Sequence, residues 1–257
     1  MLVDPYDAIL LDLDGVLYRW PEPIPGAPEA VRRLRDAGKG IAFVTNNSSR
    51  TPTQVAERLA AVGIEAEPDE VVTSALATAT LLDERGVSSA FVIGEEGLRS
   101  ALVEAGIRLV DGRGDGPVGA VVIGFDRSAD YAKLRDGAVL VEEGAALIAS
   151  NPDPSFPAPG GEAWPGAGAL LAAVEMTTGV KGEVVGKPEP PLLRRALERA
   201  GGGRPLVVGD RLDTDIAGAT RLGWDSALVL TGSTTRDDLE RSRWSPTFVV
   251  DSVADLA

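Results

Sequence analysis

The sequence predicts an α/β fold built on a doubly wound parallel sheet, and three observations carry that prediction. Short apolar runs alternate with helical patterns along the whole chain. Most of the runs are apolar on both faces, as strands of a parallel sheet covered by helices are. Polar and acidic residues close several of the runs, at the sheet edge where open α/β folds bind their ligands.

The elements follow in order. Residues 8–13 read as the first strand, and the apolar spacing of 28–37 as a helix. Residues 41–45 form the next strand, closed by Asn46-Asn47. A helix over 53–62 follows, introduced by Thr51-Pro52 as an N-cap with a proline at the first helical position. Strands at 90–93, 120–125 and 146–149 come next, with a helix over 129–143 between the last two. Residues 151–168 read as an irregular Pro/Gly stretch, and 168–178 as a helix. The short run Val184-Val185 leads into Gly186-Lys187-Pro188, a helix spans 190–200, and strands at 205–209, 226–230 and 247–250 complete the chain. No internal repeat is visible.

Composition removes much chemistry. With 0 Cys and 0 His among 257 residues, thiolate nucleophiles, disulfides, histidine triads and histidine-ligated metals are excluded. Catalysis would run on carboxylates, hydroxyls, Lys, Arg and a hard, oxygen-preferring cation. The net charge of −14 argues against nucleic acid or an anionic membrane as partner. Acids at Asp4 and Asp7 are unlike a signal peptide, and no run approaches a membrane span, so a cytoplasmic protein is expected.

The densest signal is Asp12-Leu13-Asp14-Gly15 at the end of the first strand. Residues i and i+2 of a strand share a face, so two carboxylates leave it together. Acids that close need a cation or a shared proton. Thr45 closes the second strand, Lys187 follows an apolar run, and Gly209-Asp210 closes a third strand, so carboxylates, a hydroxyl and a lysine converge on one edge.

In these residues the chain resembles the haloacid dehalogenase-like (HAD) hydrolases, whose core is Rossmann-like. Asp12-Leu13-Asp14-Gly15 matches the first family motif, Thr45 the second and Lys187 the third. The run Gly209-Asp210-Arg211-Leu212-Asp213-Thr214-Asp215-Ile216 matches the fourth. The resemblance implies Asp12 as nucleophile forming an aspartyl-phosphate, and Asp14 as general acid and then general base. It implies Mg2+ held by Asp12, Asp210 and the backbone carbonyl of Asp14. Thr45, Asn46 and Lys187 would bind the phosphoryl group. Asp215 reads either as an acid that orders water on the metal or as a helix-start acid.

Only 31 positions separate Asp14 from Thr45, whereas 142 separate Thr45 from Lys187, against the roughly 30–40 that one crossover needs. The surplus, residues 77–181, reads as a smaller α/β domain inserted into a core formed by 1–76 and 182–257. This resembles the C2-type cap of the NagD-like branch, which includes nitrophenyl phosphate, phosphoglycolate and glycerol-phosphate phosphatases. Asn151-Pro152-Asp153 also matches that branch, so Asn151 and Asp153 order either substrate or an Asn-Pro turn. Trp20 and Trp164 read as loop aromatics that stack on substrate or pack their loops.

The resemblance implies a Mg2+-dependent phosphatase acting on a small phosphorylated metabolite, with glycerol 3-phosphate the first substrate to test. It allows a homodimer through the cap. A phosphotransferase or mutase would share the intermediate, and a non-catalytic phospholigand-binding regulator would share the scaffold.

Overall fold

The computed structural model describes residues 2–114, 116–157 and 162–256. It divides into two compact units, one of Met1–Thr45, Pro52–Val72 and Lys187–Ala257, the other of Asn46–Thr51 and Thr73–Gly186. The second unit reaches beyond the 77–181 marked by spacing for a local reason. Ser74–Glu84 is one continuous helix whose N-cap Thr73 accepts a hydrogen bond from the Leu76 N–H, and Ser74 Oγ donates to the Asn46 carbonyl at 2.7 Å. Helix and segment are thereby tied into one body.

The first unit is built on a six-stranded sheet. Its order is Phe248–Val250, Asp225–Val229, Pro205–Gly209, Ala8–Leu11, Gly40–Thr45 and Val71–Thr73. The ladders from Phe248–Val250 through Gly40–Thr45 are parallel. Ala8–Leu11 lies at the centre, with Leu11 in register with Val208 on one side and Phe43 on the other. Its side chains are buried on both faces, which is why that run is uniformly apolar. One face packs Ile9, Leu11, Phe43, Leu206 and Val208 against Val31 and Leu34 of the helix Ala27–Asp36 and Leu59 of Pro52–Ala61. Each such side chain contributes about 1.5–3 kcal/mol by leaving water.

Two strands end earlier than their apolar runs do. The 8–13 run stops at Leu11 as a strand because the Leu13 carbonyl accepts from the Leu17 N–H at 2.8 Å, closing a tight turn. The 120–125 run stops at Ile123.

The second unit carries its own five-stranded parallel sheet. The order is Glu183–Val184, Ala146–Ala149, Ala120–Ile123, Ser89–Ile93 and Arg108–Val110. Its core joins Ile93, Val121, Ile123 and Leu147 to Leu140 and Val141 of the helix Tyr131–Glu142, and to Leu171 and Val174 of Ala167–Thr178. Within the stretch read as irregular, Ser155–Pro157 and Ala163–Pro165 pair antiparallel, with Phe156 opposite Trp164. Trp164 is thus a strand residue rather than a loop residue. Among the described residues no helix is long and apolar enough to cross a membrane.

Candidate active site

The centre of the sheet sets the site. Ala8–Leu11 and Pro205–Gly209 are parallel neighbours, so Asp12 and Asp210, one residue past each strand, emerge side by side. The Asp12 N–H extends the ladder by donating to the Val208 carbonyl at 2.9 Å. A third acid arrives on a single π-helical turn, Leu212–Ile216, in which the Ile216 N–H reaches the Arg211 carbonyl at 3.2 Å. Such turns recur at functional sites. This one brings Asp215 back over Gly209, where an added Cβ would lie 2.2 Å from the Asp215 Cβ. Only glycine leaves room for that acid. Asp12, Asp210 and Asp215 each offer a carboxylate oxygen within 4.8 Å of the others.

Lys187 is the counter-charge. It is 2 % exposed, and its Nζ lies 2.5 Å from Asp12 Oδ1 and 2.7 Å from Asp215 Oδ1. Burial pulls the ammonium toward neutrality, but Asp12 and Asp215 outweigh it and hold Lys187 protonated above its ordinary range. Burial pushes the Asp12 carboxyl well above the usual carboxylate range; Lys187 opposes this, while Asp215 and Asp210 reinforce it. Asp210 is likewise raised, by burial first and Asp215 second. One lysine does not balance three acids.

The donor set therefore fits a hard divalent cation. All three donors are carboxylate oxygens, the ligand type that Mg2+ prefers. Asp215 Oδ1 is buried with no hydrogen bond and has the Lys187 ammonium as its neighbour. A cation at this place would relieve the mutual repulsion of the carboxylates.

Asp210 is held by a loop that no pattern in the sequence marks. The Ser233 N–H and Oγ donate to Asp210 Oδ2 at 2.6 and 2.8 Å. A Cβ at Gly232 would stand 2.0 Å from that oxygen, and one at Gly15, whose φ is +82°, would stand 2.7 Å from it. Thr231 Oγ1 donates to the Gly15 carbonyl at 2.7 Å, and the Arg19 guanidinium donates to the Thr231 carbonyl. The acidic loop and the Thr231–Ser233 loop are thus locked together. The available signal was a Gly-Ser pair just past the run 226–230.

The remaining residues separate into two places. Asp14 is exposed and stands outside the acid trio; it forms a bridge with Tyr18 at the start of the hairpin Tyr18–Arg19/Glu22–Pro23. Thr45 is buried at the last position of Gly40–Thr45. In the second unit Asp153 Oδ2 accepts from Asn46 Nδ2 at 3.0 Å and from Asn151 Nδ2 at 2.8 Å. Ser150 Oγ donates to Asn151 Oδ1 at 2.7 Å and reaches Ser48 Oγ at 3.0 Å. Asn46, Asn151 and Asp153 thus form one hydrogen-bonded cluster, joined by Ser150 and Ser48.

Comparison with known proteins accords with this geometry. Residues 9–108 match the haloacid dehalogenase-like hydrolases and residues 184–256 a HAD-hydrolase-like family. The chain is 41 % identical over 246 residues to the acid sugar phosphatase of Staphylococcus aureus, across 95 % of this chain and 93 % of that one. The glycerol phosphate phosphatase of Mycobacterium tuberculosis, solved in complex with magnesium, superposes with a TM-score of 0.93 at 34 % identity, over 99 % of this chain and 77 % of that one. NagD of Escherichia coli K-12 superposes at 0.90 with 32 % identity, over 98 % of each chain. The chain belongs to the haloacid dehalogenase-like hydrolase family. It is an enzyme of that family's phosphatase kind, with an α/β core and a second parallel sheet.

Proposed function

We propose that the chain is a Mg2+-dependent phosphatase that hydrolyses small phosphomonoesters of polyols and sugars through an aspartyl-phosphate on Asp12. The observation that carries this reading is the buried Lys187 bridging Asp12 and Asp215 beside Asp210. The names of the relatives support the substrate class, with glycerol 3-phosphate and sugar phosphates first to test.

A carboxylate that attacks a phosphate dianion must overcome like-charge repulsion. Lys187 supplies fixed positive charge at Asp12 and toward the equatorial oxygens of the transferring group. When bound by Asp12, Asp210 and Asp215, with the Asp14 carbonyl nearby in sequence, Mg2+ supplies the remaining charge neutralisation. The Asp12 oxygen bonds to phosphorus as the bond to the alcohol oxygen breaks, and Asp14 delivers a proton to that oxygen. Asp14, now a carboxylate, takes a proton from water. The water oxygen bonds to phosphorus, the bond to Asp12 breaks, and inorganic phosphate leaves. Exposure of Asp14 suits a proton carrier that exchanges with solvent. Thr45 and Asn46 are assigned to the phosphoryl oxygens by the family resemblance, and within the second unit Asp153 accepts from both Asn46 and Asn151. The small metabolite is the partner, and a homodimer through the second unit is part of the proposal.

Phosphate release from p-nitrophenyl phosphate, glycerol 3-phosphate and hexose phosphates tests the reading. Release should require Mg2+ and should stop when Ca2+ competes for the site. Equal rates with the metal chelated away would refute it.

A further inference from the structure

Resting on the phosphatase reading, we propose that Trp20 and Arg58 form a subsite for the sugar ring of a cyclic sugar phosphate, and so set the leaving-group preference of the enzyme. The two residues lie in the same compact unit as the acid trio.

Trp20 occupies the turn of the hairpin that begins at the Asp14–Tyr18 bridge. A bridge partner lies about 5 Å away and each extended residue adds about 3.3 Å, so the Cα of Trp20 is at most about 12 Å from that of Asp14. Arg19, its neighbour, donates to the Thr231 carbonyl, two residues from the Ser233 that holds Asp210. The first strand of the hairpin is therefore tied to the loop that holds Asp210.

The indole is nevertheless 48 % exposed. The Arg58 guanidinium covers it at 4.0 Å from the ring centroid and lies 5.5 Å from the Tyr18 ring. Tyr18 meets Trp20 edge-on at 6.2 Å. Arg58 has no carboxylate partner among the described residues, and its Nε is buried without a hydrogen-bond partner. In a chain of net charge −14, an arginine that pairs with no acid and stacks on two rings acts by holding those rings in place.

Arg58 lies over one face of the half-exposed indole, so the opposite face is the one left for a sugar ring. The C–H face of the sugar stacks there while Arg58 backs the indole from behind. Cation–π contact fixes the indole in place before ligand arrives. Glycerol 3-phosphate has no ring to stack, so the subsite discriminates between two substrates that the acid trio treats alike. Binding energy gained away from the phosphoryl group is what separates such substrates.

Steady-state kinetics on glycerol 3-phosphate and a panel of hexose and pentose phosphates tests this. The readout is the ratio of kcat/KM for the best ring substrate to that for glycerol 3-phosphate. Trp20→Leu should lower the ratio at least fivefold, mainly through KM for the ring substrate. Arg58→Gln should lower it in the same direction, and Trp20→Tyr should restore most of it. A ratio that stays constant while both substrates decline would assign Trp20 to packing of the hairpin and overturn the proposal. So would a wild-type enzyme that cleaves glycerol 3-phosphate but no ring phosphate, which leaves the phosphatase reading standing. If wild type cleaves neither, that reading fails. The subsite is then decided by binding of glucose 6-phosphate, followed by tryptophan fluorescence in Asp12→Asn protein. The proposal predicts quenching that disappears in Asp12→Asn/Trp20→Phe, and quenching unaffected by that second change refutes it.

Discussion

At the scale of single residues, the site is a problem of charge. Three acids share a pocket with one buried lysine, and Asp12 and Asp210 are both pushed toward the protonated state by burial and by their acidic neighbours. What keeps Asp210 oriented is Ser233, through two hydrogen bonds to one oxygen. Partners that orient a metal ligand typically change metal affinity or activity about 10–100-fold when removed. Ser233→Ala, which keeps the backbone N–H bond, should raise the Mg2+ concentration giving half-maximal rate severalfold. A Mg2+ titration of the rate checks this, and an unshifted midpoint would show that Ser233 does not tune the metal site. The convergence of Asp12, Asp210 and Lys187 was legible because polar residues that close apolar runs are conspicuous, whereas Asp14, named with them, stands outside the trio. Ser233 was not, because a serine 23 positions from its partner carries no pattern.

At the scale of elements, the central strands read correctly, as did the edge strand Phe248–Val250, while the other edges did not. Runs such as 205–209 coincide with their strand because buried parallel strands are continuously apolar. Val71–Thr73, Arg108–Val110 and Glu183–Val184 are two or three residues long, too short to show a period. The helix Ser74–Glu84 escaped because six of its residues, Ser74 and Thr78 among them, are buried, which erases the amphipathic stripe. The loop after Asp225–Val229 was missed as a functional element, although Gly232 is packed against Asp210 more tightly than any side chain permits. Gly232→Ala should therefore displace either that loop or the carboxylate. Overpacking of this kind costs about 1–3 kcal/mol. Urea denaturation should show a lower midpoint, together with at least a tenfold loss of kcat. A variant with unchanged midpoint and unchanged rate would show that the loop yields freely.

At the scale of the whole molecule, each unit has its own sheet and its own hydrophobic core. The long interval between Thr45 and Lys187 is the sequence's mark of a second domain, while the limits of the compact unit follow hydrogen bonds such as Ser74 to Asn46 that no spacing reveals. The antiparallel pair Ser155–Pro157 and Ala163–Pro165 was hidden by the prolines and glycines of the 151–168 stretch. The acid trio also links ligand binding to stability. A ligand that binds only the folded chain stabilises it by about 2.7 kcal/mol at a hundredfold excess over Kd. For a chain of this size that corresponds to roughly 5–10 °C in Tm. Saturating Mg2+ at neutral pH should produce a shift of that order in thermal unfolding, and Asp210→Asn should remove most of it. A Tm indifferent to Mg2+ would contradict the assignment of the trio as a cation site.

The central claim is that Asp12 attacks phosphorus. The Asp12→Asn variant keeps the size of the side chain and removes a buried charge from a repulsive cluster, so circular dichroism should report an intact fold. Phosphate release from p-nitrophenyl phosphate in saturating Mg2+ should fall by at least about 10³-fold, the scale on which loss of a covalent nucleophile is felt. A folded Asp12→Asn enzyme with wild-type turnover would contradict the account.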